Sequence, residues 1–145
     1  MRLETVRNLT RDRDIAARHI SFLSAERDKL KAQPELTADE ALRLKEIESR
    51  LEDVTRYLAQ LKPRLQNAIV ELSEKIRQLP DEKQSLMLFE VYVLLVPIRA
   101  TAQILGLNDT AAYNMHSKAR DAYNTAQGIP LYKDGRGRKK WSDDD

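Results

Sequence analysis

The feature that most restricts this chain is a row of apolar residues stepping by threes and fours: Leu44, Ile47, Leu51, Val54, Leu58, Leu61, Leu65, Ala68, Leu72 and Leu79, with one slip near Ile76. This is a heptad seam held for about five repeats, beyond the three or four that mark a coiled coil. A strand cannot use such spacing, because its side chains change face at every residue. The seam therefore predicts one helix of roughly 60 Å. Its start is written in Thr37-Ala38-Asp39-Glu40, where the threonine hydroxyl and the glutamate carboxylate can each take an orphan amide. Glu46–Arg50 and Glu52–Arg56 add i,i+4 pairs on its outer faces. Pro63 lies inside the seam, and because the phase holds across it a kink near Leu61–Lys62 is expected rather than a break.

A long helix with one apolar stripe needs a partner. Leu3, Val6, Ala16, Ile20, Leu23 and Leu30 supply a second stripe on a helix from about Arg2 to Lys31, roughly 45 Å long, with a polar patch at Thr10–Asp14. The connection Ala32–Leu36 is five residues long and contains Pro34, so the two helices are expected to fold back as an antiparallel, coiled-coil-like hairpin. The first helix is too short to cover Ala68–Leu79, and that end must bury its stripe elsewhere. The choices are the helices that follow or a second copy of the chain. Leu44, Ile47, Leu51, Val54, Leu58, Leu61, Leu65 and Leu72 are accordingly expected to serve dimerisation, and a homodimer is expected. Arg7, Arg11 and Arg18 fall along one face of the first helix. Two readings stand for them, a solvated face with ion pairs to Asp12 and Asp14 or a stripe that tracks phosphates.

The stretch from Leu79 to Tyr123 carries a different pattern. Leu79-Pro80-Asp81-Glu82 stops one helix and starts another, with two acids where the helix dipole favours them. Leu86, Leu88, Phe89, Tyr92, Val93 and Leu95 are expected to form the buried side of that helix, limited by Pro97. Arg99–Asn108 then has the layout of a helix-turn-helix. Ala102 allows a close crossing, Ile104 and Leu105 supply apolar packing, and Gly106 accepts the positive φ of a helix end. Leu107 is expected to plug the angle between the helices, and Asn108 to cap the next one.

On that last helix Ala112, Met115, Ala119 and Ala122 share an inward face, with Tyr113 and His116 at its border. The outward face shows Thr110, Ala111, Asn114, Ser117, Lys118 and Asp121. If it enters a major groove, the Asn114 amide can pair bidentately with adenine, and Thr110 and Ser117 can reach base edges or phosphates. Lys118 and Arg120 are expected on the DNA backbone, fixing register without reading sequence. The competing reading is a solvent-facing helix with no ligand.

Charge bears on this choice. Residues 1–79 carry 16 basic and 14 acidic side chains, residues 80–126 carry 4 and 5, and residues 127–145 carry 5 and 4. A polyanion-binding protein is thus not announced by net charge, which is +2 overall. In the tail, Arg136, Arg138, Lys139 and Lys140 form a basic knot beside Trp141, ahead of an acidic end. It is read as a DNA contact or as a solvated tail, disordered or loosely docked. There is no cysteine, and only His19 and His116 could serve as imidazole ligands, so neither a metal site, a cofactor nor a catalytic role is assigned. No apolar run approaches a membrane span, and a cytoplasmic protein without membrane contact is expected.

Leu79-Pro80-Asp81-Glu82, Leu88–Tyr92, Arg99–Leu107 and Tyr113-Asn114-Met115-His116, in that order, resemble the fourth conserved region of sigma-70 factors. More narrowly they resemble ArpU/RinA-type regulators of Gram-positive phages, over about residues 66–123. The resemblance implies a transcriptional regulator that binds promoter double-stranded DNA. The expected fold is all-α: a hairpin over residues 1–65, a sigma region-4-like helix-turn-helix over 66–126, and a tail over 127–145. Two other functions remain open. One is a packaging protein like a small terminase subunit. The other is a module that docks RNA polymerase or a repressor without touching DNA.

Overall fold

The computed structural model describes residues 1–133 and 139–141, with side chains described through residue 130. These residues are overwhelmingly helical. The elements are α1 (Thr5–Lys31), α2 (Ala38–Arg77), α3 (Glu82–Leu88) continuing into a π-helical turn (Phe89–Val93), α4 (Ile98–Leu105) and α5 (Asp109–Ala126). Two three-residue strands, β1 (Leu131–Lys133) and β2 (Lys139–Trp141), pair antiparallel with Tyr132 opposite Lys140. Part of the expected tail is thus paired backbone. Among the described residues no helix is long and apolar enough to cross a membrane.

The chain divides into two compact units, Asn8–Gln66 and a discontinuous one made of Met1–Arg7 with Asn67–Asp145. In the unit Asn8–Gln66, α2 starts as its sequence dictates. The Thr37 N–H donates to Glu40 Oε1 and the Glu40 N–H donates to Thr37 Oγ1, both at 3.1 Å. Those hydrogen bonds hold the Glu40 carboxyl below its ordinary pKa. The chain turns back between Lys31 and Ala38, and Lys31 Nζ reaches Glu48 at 3.7 Å. Ala16, Leu23 and Leu30 of α1 are buried, as are Leu51, Leu61 and Leu65 of α2. Helix α2 runs unbroken through Pro63. The charged faces satisfy themselves locally: Arg11 with Asp12, Arg13 with Asp14, Arg56 with Asp53. All these pairs are exposed and contribute little to stability.

The other unit is built on Leu72, Ile76, Met87, Leu88, Ala112, Ala119 and Tyr123, none of them more than 1% exposed. Truncating Leu72 or Met87 to alanine should cost about 2–5 kcal/mol. Leu3 and Val6 are equally buried, which places the first residues in this core. Tyr123 donates its hydroxyl proton to the Met1 carbonyl at 2.7 Å. Helix α3 begins at the Asp81 cap, whose carboxylate accepts the Gln84 N–H at 3.0 Å, and both α3 and α4 pack on α5.

The expected buried side of α3 needs correction. Leu86 is 40% exposed, whereas Met87 is buried and so are three residues in a row, Val91, Tyr92 and Val93. The π-helical turn is the reason. There the Leu94 N–H reaches the Phe89 carbonyl and the Val96 N–H reaches the Glu90 carbonyl, at 3.0 and 2.9 Å. The wider turn shifts the phase of the apolar stripe. Leu95 then closes the segment with φ +58°, a left-handed conformation that costs a branched residue of order 1–3 kcal/mol. Thr101 is fully buried in α4, its hydroxyl bonded to the Pro97 carbonyl at 3.2 Å.

Candidate nucleic-acid interface

The turn between α4 and α5 follows from three residues. Gly106 adopts φ +69° and its N–H reaches back to the Ala102 and Gln103 carbonyls. The Leu107 N–H donates to the Ala102 carbonyl at 2.8 Å, the longer bond of a Schellman stop. A Cβ on Gly106 would meet nothing within 4 Å, so glycine is required by the backbone angle and not by space. Asn108 Oδ1 accepts the Ala111 N–H at 2.8 Å and opens α5. Across the turn Arg99 lies 3.9 Å from Asp109, in solvent. Ile104, expected to pack, is instead 60% exposed, because the inward positions of this short helix go to Thr101 and Ala102.

Helix α5 then has two faces of different chemistry. Ala112, His116, Ala119, Tyr123 and Asn124 point inward and are buried. Thr110, Asn114, Ser117, Lys118 and Asp121 are exposed. Asn114, Met115 and Lys118 also line one wall of a groove of about 460 Å³, facing Asp81, Lys83 and Gln84 at the start of α3. Four of the sequence-derived contact residues, Thr110, Asn114, Ser117 and Lys118, are thereby brought onto one accessible surface.

Arg120 is not on it. Its guanidinium is largely covered and lies 3.1 Å from Glu4 Oε1, so its assignment to the DNA backbone is corrected to a structural ion pair. The partner sits 116 positions away, which no local pattern reveals. Arg136 and Arg138 lie outside the described residues. Lys139 and Lys140 stand on β2, with side chains outside the description. Of the residues assigned to dimerisation, Leu51, Leu61, Leu65 and Leu72 are buried within the single chain, while Leu44, Ile47, Val54 and Leu58 are half-buried. The four buried ones expose almost no area to a second copy.

Behind the exposed face, His116, expected only at the border of the packed face, meets Tyr92, expected on the buried side of the helix before it. His116 Nε2 lies 2.8 Å from the Tyr92 hydroxyl, and the two rings stack with centroids 5.6 Å apart. Burial, followed by the Arg120 and Arg7 charges, lowers the His116 pKa to about 4. Burial raises the Tyr92 pKa to about 12. At neutral pH the imidazole is therefore neutral and the phenol protonated, and a single proton joins them. The Arg7 guanidinium lies over the Tyr92 ring, 5.2 Å from its centroid. The signal for this pair was the spacing Ala112–His116–Ala119–Tyr123, which puts the histidine in the middle of the buried stripe. Burial and Glu71 likewise push the Tyr123 hydroxyl upward.

Among the described residues no group of three His, Asp or Glu side chains is placed to hold a metal. No family model, curated protein or solved structure matches the chain.

Proposed function

We propose that this chain is a DNA-binding transcriptional regulator in which α4, the Gly106 turn and α5 form a sigma region-4-like helix-turn-helix carried by a helical hairpin. The observation that supports it most is the exposed row Thr110, Asn114, Ser117 and Lys118 on a helix that buries Ala112, His116, Ala119 and Tyr123 on its other face. An α-helix presenting short polar side chains fits the major groove, where an asparagine amide can recognise adenine and a lysine can hold a phosphate. The resemblance to ArpU/RinA-type phage regulators gives the same reading for the order of elements. As a homodimer the protein would present two such helices to half-sites one DNA turn apart. With the seam leucines largely covered, a second copy has the exposed Ile15, Phe22 and Tyr57 of the unit Asn8–Gln66 to use.

The test is selection of a random duplex pool by the intact protein, followed by anisotropy titration at several salt concentrations. A regulator enriches one sequence and loses affinity steeply as salt rises. No enrichment, with no salt-dependent binding, removes this function.

A second reading has its own support. Ile104 is 60% and Tyr113 48% exposed on either side of the turn, and residues 80–126 hold five acids against four bases. Such a surface suits docking on a protein such as RNA polymerase or a repressor. Binding to polymerase that persists after Asn114→Ala and is lost after Ile104→Ser would favour it over direct DNA reading.

A further inference from the structure

The hairpin of α1 and α2 leaves its own seam partly open. Within the unit Asn8–Gln66, Leu44, Ile47, Val54 and Leu58 of α2 are only half-buried. Two helices cannot surround a shared seam, and bundles close it with a second pair. Outside the seam, α1 carries another row at heptad spacing: Arg11, Ile15, Arg18, Phe22, Ala25 and Lys29, all exposed. Ile15 is 52% and Phe22 63% exposed, so two large apolar side chains stand in water one heptad apart. Except for Ala25, the rest of this ridge is basic.

Beside the ridge runs a groove of the opposite charge. Its volume is about 690 Å³, and both helices line it. Ile15 and Tyr57 contribute apolar surface, and the carboxylates of Asp12, Glu46 and Asp53 are set against the guanidinium of Arg50. Asp12 and Asp53 meet Arg11 and Arg56 at 4.0 and 3.7 Å. Both pairs are exposed and weak, so they can be exchanged for contacts across an interface. On the ridge, Arg18 Nε donates to the Asp14 carbonyl at 3.4 Å, while the Asp14 carboxylate is met by Arg13. Ile15 belongs to both ridge and groove, which therefore lie side by side. Two copies related by a two-fold axis can each insert a ridge and receive one.

We propose that a second copy of this chain docks here: the α1 ridge of each protomer, with Phe22 between its cations, lies along the acidic groove of the other, and the two hairpins form a four-helix bundle. Charge complementarity decides the occupant. The groove calls for a basic amphipathic helix, and the exposed row of α1 supplies one. The proposal rests on the homodimer of the DNA reading and names the surface that makes it.

Sedimentation equilibrium of the intact protein without DNA is the test. Wild type should run at twice the chain mass. Phe22→Glu should raise the dissociation constant roughly tenfold or more. Charge reversal supplies a readout that misfolding cannot imitate. Arg11→Glu with Arg18→Glu reverses the ridge, and Glu46→Lys with Asp53→Lys reverses the groove. Each doubly substituted chain should be monomeric by itself. An equimolar mixture of the two should recover the dimer, because every ridge then meets a groove of opposite sign. The proposal is overturned if Phe22→Glu dimerises as tightly as wild type, or if the mixture recovers nothing. A wild type that stays monomeric also overturns it and leaves the groove to a basic helix of another protein. A monomer that enriches one duplex sequence overturns the docking and keeps the DNA reading. A dimer built on this ridge that enriches none does the reverse.

Discussion

Tyr92 and His116 meet at 2.8 Å inside the core, while Asn114 and Ser117, close by on the same helix, face outward. One turn of α5 therefore carries both a buried neutral imidazole and the surface proposed to meet DNA.

That imidazole makes stability depend on pH. His116 titrates near 4 in the folded chain and near 6.5 when unfolded, so between those values the unfolded chain holds more protons. Its contribution is complete above pH 6.5 and is lost as pH falls toward about 4. The loss should be roughly 1–3 kcal/mol in urea unfolding at pH 7 against pH 4. His116→Gln, which keeps a hydrogen-bonding partner for Tyr92, should flatten the slope above pH 5. An unchanged slope would mean that other groups cause it.

At the turn, Gly106→Ala should destabilise by about 1–2 kcal/mol through its φ of +69° alone, since space for a Cβ exists. Asn108→Ala should remove about 0.5–2 kcal/mol with the lost cap. Thermal or urea unfolding measures both, and a neutral Gly106→Ala would show that the turn can relax.

Two basic residues of α5 should part company in DNA binding. Lys118→Ala should lower the salt dependence by about one phosphate contact while leaving stability within about 0.5 kcal/mol. Arg120→Ala should instead lower the unfolding midpoint, because it leaves Glu4 without its partner. Asn114→Ala should relax preference at one base position by about 1–3 kcal/mol. Equal salt slopes for wild type and Lys118→Ala would take that lysine off the DNA.

At the start of α2, Thr37→Ala should cost about 1 kcal/mol, and the cost should shrink in acid as Glu40 is protonated and its half of the box opens. The sign follows from the lowered Glu40 pKa: the stabilisation is present above the unfolded carboxyl value and fades as pH falls through the folded one. Urea unfolding of wild type and variant at pH 7 and pH 3 decides it.

These examples also show what the sequence could reveal. The Thr37–Glu40 box, the Asp81 and Asn108 caps and the Gly106 stop are each complete within four residues, so local chemistry determines them. The outward positions of α5 were equally plain, because a single 3.6-residue period controls them. The phase shift at Phe89–Val93 was not, since nothing in Phe-Glu-Val-Tyr-Val marks a wider turn. Arg120–Glu4 and Tyr92–His116 were hidden by chain distance: the first draws Arg120 off the expected DNA-facing surface, and the second takes His116 from the expected border into the core.

The closure of Tyr123 on Met1 has a consequence for synthesis. Residues 1–7 emerge from the ribosome before the whole of Asn8–Gln66, yet their own unit is finished only when α5 arrives. Leu3 and Val6 must stay uncommitted until then, so the unit carrying the exposed α5 face matures last.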